Sequence, residues 1–457
     1  MPDIIFQKSS EIEAAADALF DWHARPGAFD RLTPPWEPVE LLSHEGIEDG
    51  DRAVIGMKIG PLSQKWVAEH RNYTVGSSFE DVQVSGPFAK WEHTHTMSPV
   101  SDEKSLLTDL IHYRLPGGPV GQLLGGRFSR HKLERMFRWR HCRTIDDLKC
   151  HQKYRKQPRM KVVITGGSGL IGQELQSLLS TGGHEPIVLT RKVATQDHQR
   201  QWDPAISEYD PEWFAGADAV IHLAGENIAG QRWTSSFKDR LWNSRIDVTN
   251  KLVSVLTSME TPPKTLISAS AIGWYGDRGD ELVGENASAG EGYLPELCKA
   301  WEESSHSARD AGIRVVNPRI GIVLSPKGGA LAKMLLPFKM GAGGILGDGK
   351  QYMSWIGLDD VAGAIYHSLM TDSIEGPVNC VAPNPVTNYE FTKTLGRVLS
   401  RPTIFPVPGF MAKLAFGEMA EALLLASTRV DDGVLKSTEY QFRTPGLEDC
   451  LRHILGR

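Results

Sequence analysis

Residues 161–172 read Lys161-Val-Val-Ile-Thr-Gly-Gly-Ser-Gly-Leu-Ile-Gly172, an apolar run that passes directly into a glycine-rich turn. Gly166, Gly169 and Gly172 recur at three-residue intervals, and Leu175, Leu178 and Leu179 continue with helical spacing as far as Gly182-Gly183. A strand feeding a glycine turn that opens a helix is the geometry that cradles a pyrophosphate. Small residues admit the backbone, and the helix N-terminus meets the negative charge. The Walker alternative requires Lys where Gln173 stands. Gly166, Gly167, Ser168, Gly169, Leu170, Ile171 and Gly172 are the expected phosphate-side residues.

The next strand, Pro186 to Thr190, ends in Arg191-Lys192. A site selective for NAD favours a carboxylate at this distance to hold the ribose 2′-hydroxyl, whereas a basic pair suits a 2′-phosphate, so the expected cofactor is NADP. Asp218 to Gly225 is a further strand whose small end, Leu223, Ala224 and Gly225, lets a cofactor pass closely. Thr234 to Thr257 reads as one long helix, and strands follow at Thr265–Ala271 and Ile313–Arg319. Strands alternating with helices imply a doubly wound parallel sheet with its ligands at the carboxyl edge.

From residue 161 onward the chain resembles the extended short-chain dehydrogenase/reductases, in particular their atypical "epimerase family" branch. The resemblance rests on Thr165–Gly172, His222–Ile228, Ser268–Gly276, Pro318–Leu324, Ser354–Ile356 with Asp359-Asp360, and a tail carrying Pro406-Val-Pro408 and Gly417–Ala420. It implies an NADP-dependent oxidoreductase or epimerase-like protein acting on a small carbonyl, alcohol or nucleotide-sugar-like substrate. It also implies that Ser270 holds the substrate oxygen, with Ser268 as second choice, and that Tyr275 is a cofactor-side wall.

Working members of that superfamily pair a Tyr with a Lys four residues later on one helical face. Of the ten tyrosines, only Tyr389 has a Lys at that spacing, Lys393, and it falls beyond the core strands as a surface pair. In the expected region stands Tyr293, with Lys299 six residues on. Six helical steps place them on different faces, although Pro295 as a helix start leaves Tyr293 outside the helix. The catalytic candidates are therefore Ser270 with Tyr293 or a water. The absent dyad keeps an alternative open, a non-catalytic NADP-binding sensor or carrier of a hydrophobic ligand. Glu226, Arg245, Arg319 and Gln351 are polar residues expected at pocket edges, and Gly343–Gly349 is a turn-rich candidate lid.

Before residue 150 the pattern changes to short alternating segments: Ala53–Ile59, Gln64–His70, Phe79–Val84 and Ala89–His95. A helix over Glu11–Trp22 is expected before them. After them comes a basic one whose apolar face holds Leu133, Met136, Phe137 and Ile145. Helix, antiparallel sheet and long closing helix resemble the START-like, polyketide-cyclase-like helix-grip fold, an α+β unit that implies an apolar ligand cavity. His93 and His95 share a strand face, but the sequence offers no third ligand, so no metal site is expected.

The resulting division is a ligand-binding domain over 1–150, a linker over 151–159, a Rossmann domain over 160–400 and a helical segment over 401–457 that completes the substrate side. The net charge of −6 conceals a split. Residues 1–50 hold three basic and eleven acidic side chains, and residues 127–159 hold twelve basic and three acidic. The basic stretch reads as a solvated helix face, and no nucleic-acid partner is expected. The five cysteines are scattered without C-x-x-C spacing, which fits reduced thiols and a cytoplasmic protein. The apolar stretch Phe410–Ala426 carries three charges and is too short to span a bilayer. Nothing in the sequence assigns an oligomeric state.

Overall fold

A computed structural model describes residues 3–59, 62–191, 193–203 and 209–457. The chain divides into two compact units at Pro158–Arg159.

The first unit is a seven-stranded antiparallel sheet with helices against one face. Strand β1 (Ile4–Ile12) is followed by α1 (Ala16–Ala24) and α2 (Ala28–Leu32). Then come β2 (Val39–His44), β3 (Arg52–Ile59), β4 (Leu62–Thr74), β5 (Ser78–Ser85), β6 (Lys90–Ser101), β7 (Lys104–Arg114) and the 36-residue helix α3 (Gly118–Lys153). The spatial order is β1-β7-β6-β5-β4-β3-β2, so the first strand closes on the last. Sequence reading expects a helix from Glu11. The structure instead extends β1 to Ile12 and starts the helix at Ala16, because Ile4–Ile12 alternates in burial and pairs with β7 at all nine positions.

Along β6, Trp91, His93, His95 and Met97 point inward, and along β7 so do Leu107, Asp109, Ile111 and Tyr113. Helix α3 covers this face with Leu133 and Phe137, both buried, and continues to Lys153, three residues into the segment expected to be linker. Several of its basic side chains are engaged within the unit. Lys132 pairs with Glu37 at 2.8 Å, Arg143 lies 4.6 Å from the Trp139 ring centre, and Arg140 donates to the Leu32 carbonyl. Asp147 is buried against Arg31, which grips it through Nε and Nη2.

The second unit is built on a parallel sheet. Its strands are β8 (Lys161–Thr165), β9 (Glu185–Thr190), β10 (Gln199–Gln201), β11 (Ala219–His222), β12 (Thr265–Ser268), β13 (Ser270–Ala271) and, after the two-residue β14 (Leu282–Val283), β15 (Arg314–Ile320). The order β10-β9-β8-β11-β12-β15 is the doubly wound arrangement, with β13 and the strand Gly376–Cys380 both pairing to β15. The strands are buried on both faces, as parallel strands covered by helices require. The crossovers are α4 (Leu170–Thr181), then α5 (Ser235–Asn243) and α6 (Ile246–Ser258), then α7 (Tyr293–Glu303). The single helix expected over Thr234–Thr257 breaks at Arg245, whose guanidinium turns back to the carbonyls of Leu241 and Glu226. The tail is anchored too: the helix Leu447–Leu455 buries Cys450, Leu451 and Ile454 against Trp355 and Leu395.

His222 ends β11 fully buried between two threonine hydroxyls, Thr165 Oγ1 at 2.6 Å from Nδ1 and Thr249 Oγ1 at 3.1 Å from Nε2. Burial pushes its pKa down to about 4, so the folded chain keeps the ring neutral where the unfolded chain protonates it. Its contribution to stability is therefore complete above pH 6.5 and is lost, at about 1.4 kcal/mol per pH unit, as pH falls from 6.5 towards 4. Urea unfolding of wild type and His222→Asn across this range is expected to show a slope shallower by one proton in the variant.

Candidate functional site

The turn between β8 and α4 is held against the end of β11 at a separation that excludes side chains. A Cβ on Gly166, whose φ is +72°, would lie 2.6 Å from the Leu223 carbonyl carbon and 2.7 Å from the Ala224 nitrogen. One on Gly172 would lie 2.4 Å from the Gly166 oxygen. The turn is closed internally by Gly169 N–H donating to Gly166 O at 2.9 Å. Gln176, one turn into α4, donates to the carbonyls of Gly167 (2.6 Å) and Gly172 (3.0 Å). Sequence reading did not single out Gln176; its place four residues after Gly172 was the available signal. Ser168 and Gly169 form the exposed crest, and Leu170 and Ile171 open α4. A pyrophosphate fits here on two grounds: the bare backbone, and the first N–H groups of a helix aimed at the same point.

At the end of β9, Arg191 is exposed, and Lys192 lies outside the described residues. Beyond β11, Leu223 and Ala224 are half-buried and Gly225 is exposed. Arg245 lies beneath that stretch. Its Cζ would stand 3.3 Å from a Cβ on Gly225, its Nη2 donates to the Glu226 carbonyl at 2.9 Å, and it lies 5.0 Å from the Trp301 ring centre. Arg245 thus braces the backbone that a dinucleotide would pass.

Ser270 is buried, and its Oγ donates to Glu302 Oε1 at 2.6 Å. Glu302 is gripped in turn by Arg319 through Nε (2.8 Å) and Nη2 (2.9 Å). Arg319 Nη1 also donates to the Tyr275 hydroxyl at 3.0 Å, and that hydroxyl donates to Asn379 Oδ1 at 2.7 Å. Tyr275 is completely buried and locked in this network. Five side chains from four segments form one polar unit. Sequence reading named Ser270, Tyr275 and Arg319 separately, and it missed Glu302 and Asn379 as their partners.

Tyr293 begins α7 and belongs to a different set. Its hydroxyl donates to the Lys238 carbonyl at 2.8 Å, its ring packs on Trp233, and burial pushes its pKa up to about 12. Lys299 is exposed and pairs with Glu303, so no lysine four residues on assists this phenol. Tyr389 and Lys393 lie on a helix capped by Thr387 and Glu390, where the ammonium donates to the Thr403 carbonyl. Gln351 is buried between the carbonyls of Leu346 and Leu424. The turn-rich Gly343–Gly349 is joined to Val407 by two backbone hydrogen bonds, from Gly347 N–H to the Val407 carbonyl and from Val407 N–H to the Ile345 carbonyl.

In the first unit a cavity of about 430 Å³ opens between the sheet and the helices. Phe29, Ile55, Met57 and Trp91 line its apolar walls, and His70, Asp81, His93 and His95 line its polar end. Burial pulls His95 down, but the carboxylates of Asp109 and Asp81 outweigh it and raise the ring to about 9. Burial and the neighbouring His95 hold His93 at about 4.

Replacing Glu302 by Ala leaves the Arg319 guanidinium buried without its carboxylate, which is expected to cost about 3–5 kcal/mol in denaturant unfolding. Glu302→Gln keeps an oxygen for Ser270 and is expected to cost less.

The chain matches three family models: the NAD dependent epimerase/dehydratase family over residues 162–380, the domain of unknown function DUF1731 over 407–454, and polyketide cyclase / dehydrase and lipid transport over 12–138. It is 40% identical over 296 residues to the epimerase family protein Mb2239 of Mycobacterium bovis, a match covering 65% of this chain and 98% of that protein. The crystal structure of the human epimerase family protein SDR39U1 (isoform 2), solved with NADPH, is 33% identical, with a TM-score of 0.60 over 65% of this chain and 99% of that one. A crystal structure described as the nucleoside-diphosphate sugar epimerase of Corynebacterium glutamicum has a TM-score of 0.82 at 33% identity and covers 99% of this chain and 90% of that one. The glycine cradle, the parallel sheet and an identity that runs the length of the mycobacterial relative lead to one conclusion: the chain belongs to the epimerase family of the SDR39U1 type, with a polyketide-cyclase domain before its Rossmann-like sheet and a DUF1731 segment after it.

Proposed function

We propose that this protein is an NADP-dependent oxidoreductase or epimerase-like enzyme acting on a small carbonyl, alcohol or nucleotide-sugar-like substrate. The observation that carries this reading is the Gly166–Gly172 cradle, closed against Leu223 and Ala224 with no room for a side chain. The cation at Arg191, where an NAD site favours a carboxylate, and the NADPH in the human relative support the 2′-phosphorylated cofactor. Bound there, the cofactor supplies a hydride donor or acceptor at its nicotinamide ring.

Ser270 and Tyr293 remain the catalytic candidates, and their partners shape what each can do. With its proton directed to Glu302, the Ser270 oxygen has only lone pairs to offer, so it receives a substrate hydroxyl better than it polarises a carbonyl. Tyr293, held neutral by burial, serves as a hydrogen-bond donor rather than a phenolate base. The apolar cavity supports a hydrophobic ligand for the first unit, in keeping with the lipid-transport family it matches. The five scattered cysteines, without C-x-x-C spacing, support a reducing, cytoplasmic setting, and no helix among the described residues is long and apolar enough to cross a membrane.

A second reading, a non-catalytic NADP-binding sensor or carrier, is favoured by one observation: Ser270 and Tyr293 are both engaged by protein groups, without a Tyr-Lys dyad. Fluorescence titration is expected to show NADPH binding tighter than NADH, with Arg191→Ala weakening NADPH by about 10–100-fold and leaving NADH unchanged. Binding of neither cofactor at sub-millimolar concentration overturns both readings. A panel of carbonyls and nucleotide sugars then separates them. An enzyme consumes NADPH or interconverts a sugar and loses turnover in Ser270→Ala or Tyr293→Phe with cofactor affinity intact, whereas a carrier turns over nothing.

A further inference from the structure

We propose that Asp81, His93 and His95 form a binding site for a divalent transition-metal ion at the polar end of the first unit's cavity. One ligand atom from each, a carboxylate oxygen of Asp81, a ring nitrogen of His93 and a ring nitrogen of His95, lies within 4.8 Å of the other two. The three residues come from adjacent strands: Asp81 on β5 stands directly opposite His93 on β6, and His95 is the next inward position along β6. All three line the cavity, so the ligand set is open on that side. Two imidazoles with one carboxylate, and remaining positions open, suit zinc, cobalt or ferrous iron rather than calcium or magnesium, which take oxygen ligands.

Behind the site the second layer is already built. Asp109 Oδ1 accepts from His93 Nε2 at 2.8 Å and lies 2.7 Å from His95 Nδ1, though off its N–H line. Asp109 Oδ2 accepts from His141 Nε2 at 2.7 Å, and the other nitrogen of His141 is 2.9 Å from Ser10 Oγ. Carboxylates in this position orient histidine ligands and raise their basicity. Because the Asp109 carboxylate only accepts, His93 carries its proton on Nε2. Its Nδ1 lone pair then faces Asp81 Oδ2 at 3.6 Å, a separation that a shared metal ion can bridge.

Asp81 and Asp109 are paired, among the described residues, with the histidines His70, His93, His95 and His141, and the nearby Arg140 guanidinium acts on both carboxylates through space. His70 Nδ1 stands 2.8 Å from the other Asp81 oxygen. His23 stays outside the set, its Nδ1 engaged with the Leu19 carbonyl and its ring 6.1 Å from that of His95. Phe79 stacks on His95 at 4.3 Å and fixes its plane. A proton shared by His95 and Asp81, which lie 3.2 Å apart, is the competing occupant, and a metal ion would displace it.

The test uses the full-length protein stripped with a chelator and titrated with Co²⁺, followed by calorimetry and by the visible ligand-field absorption. The expected result is one Co²⁺ per chain, displaced by Zn²⁺ and not by Mg²⁺. Asp109→Asn, which touches no metal, is expected to weaken binding by about 10–100-fold, and His93→Gln, His95→Gln and Asp81→Asn by more. His23→Gln is expected to leave it unchanged. Circular dichroism and NADPH titration check that each variant is folded. Where a variant does not fold, X-ray absorption of the Co²⁺-loaded wild type must show two imidazoles in the shell. Absence of saturable Co²⁺ binding, binding that survives His95→Gln, or a shell without two imidazoles overturns the proposal.

Discussion

The nucleotide half of this molecule depends on one constraint, the contact of bare backbone with bare backbone where the turn after β8 meets the end of β11. At Gly166 the space for a Cβ is already occupied by the peptide linking Leu223 to Ala224, and at Gly172 by the turn's own carbonyl. From this follow the start of α4 at Leu170, the exposed crest at Ser168 and Gly169, and the need for Gln176 to tie down carbonyls the turn leaves over. The binding surface is consequently made of peptide groups, which carry no pKa and no rotamers. Affinity at such a site depends on chain geometry rather than on the identity of a few side chains.

That is also why this part of the fold was legible. Where glycine is obligatory the sequence must display it, and strand, turn and helix follow in the order of the chain. The Ser270–Glu302–Arg319–Tyr275–Asn379 network was not legible as a unit, because its members are up to 109 residues apart and meet only through the pairing of β13 and of the strand Gly376–Cys380 with β15. The misplaced helix at Glu11 and the missed strand before it have a different origin. On β1 the outward positions are Ile5, Gln7, Ser9 and Glu11 and the inward ones include Lys8 and Ser10, a pattern too weak to declare a strand until β7 supplies the other side of the ladder. Gly343–Gly349 reads as a turn-rich candidate lid from its glycines. One of them, Gly344, passes directly beneath the Phe405 carbonyl, where a Cβ has no room, and Gly347 and Gly349 hold positive φ.

The two units place their buried charges differently. In the Rossmann unit two buried arginines are closed off: Arg319 finds Glu302, and Arg245 finds backbone carbonyls. In the antiparallel unit His70, Asp81, His93 and His95 pair with one another and with Asp109 at one end of an apolar cavity, and ring nitrogens such as His70 Nε2 and His95 Nδ1 are left without a hydrogen-bond partner. Buried polar groups are normally saturated, so an incompletely saturated cluster on a cavity wall is where chemistry outside the protein has something to add.

The directly opposed pair Asp81 and His93 bears on how the sheet chooses its alignment. Phe79, Asp81, His93, His95 and Asp109 all lie on one pleated face, and their sequence neighbours Glu80, Glu92 and Thr94 lie on the other. A slip of one residue between β5 and β6 would carry Glu80 or Glu92 into the cavity and turn the histidines out to water. Hydrophobic alternation alone tolerates such slips poorly. Here a complementary polar ladder adds a second check, so the cluster serves as a register mark for the sheet as it folds, whatever ion or proton it later holds.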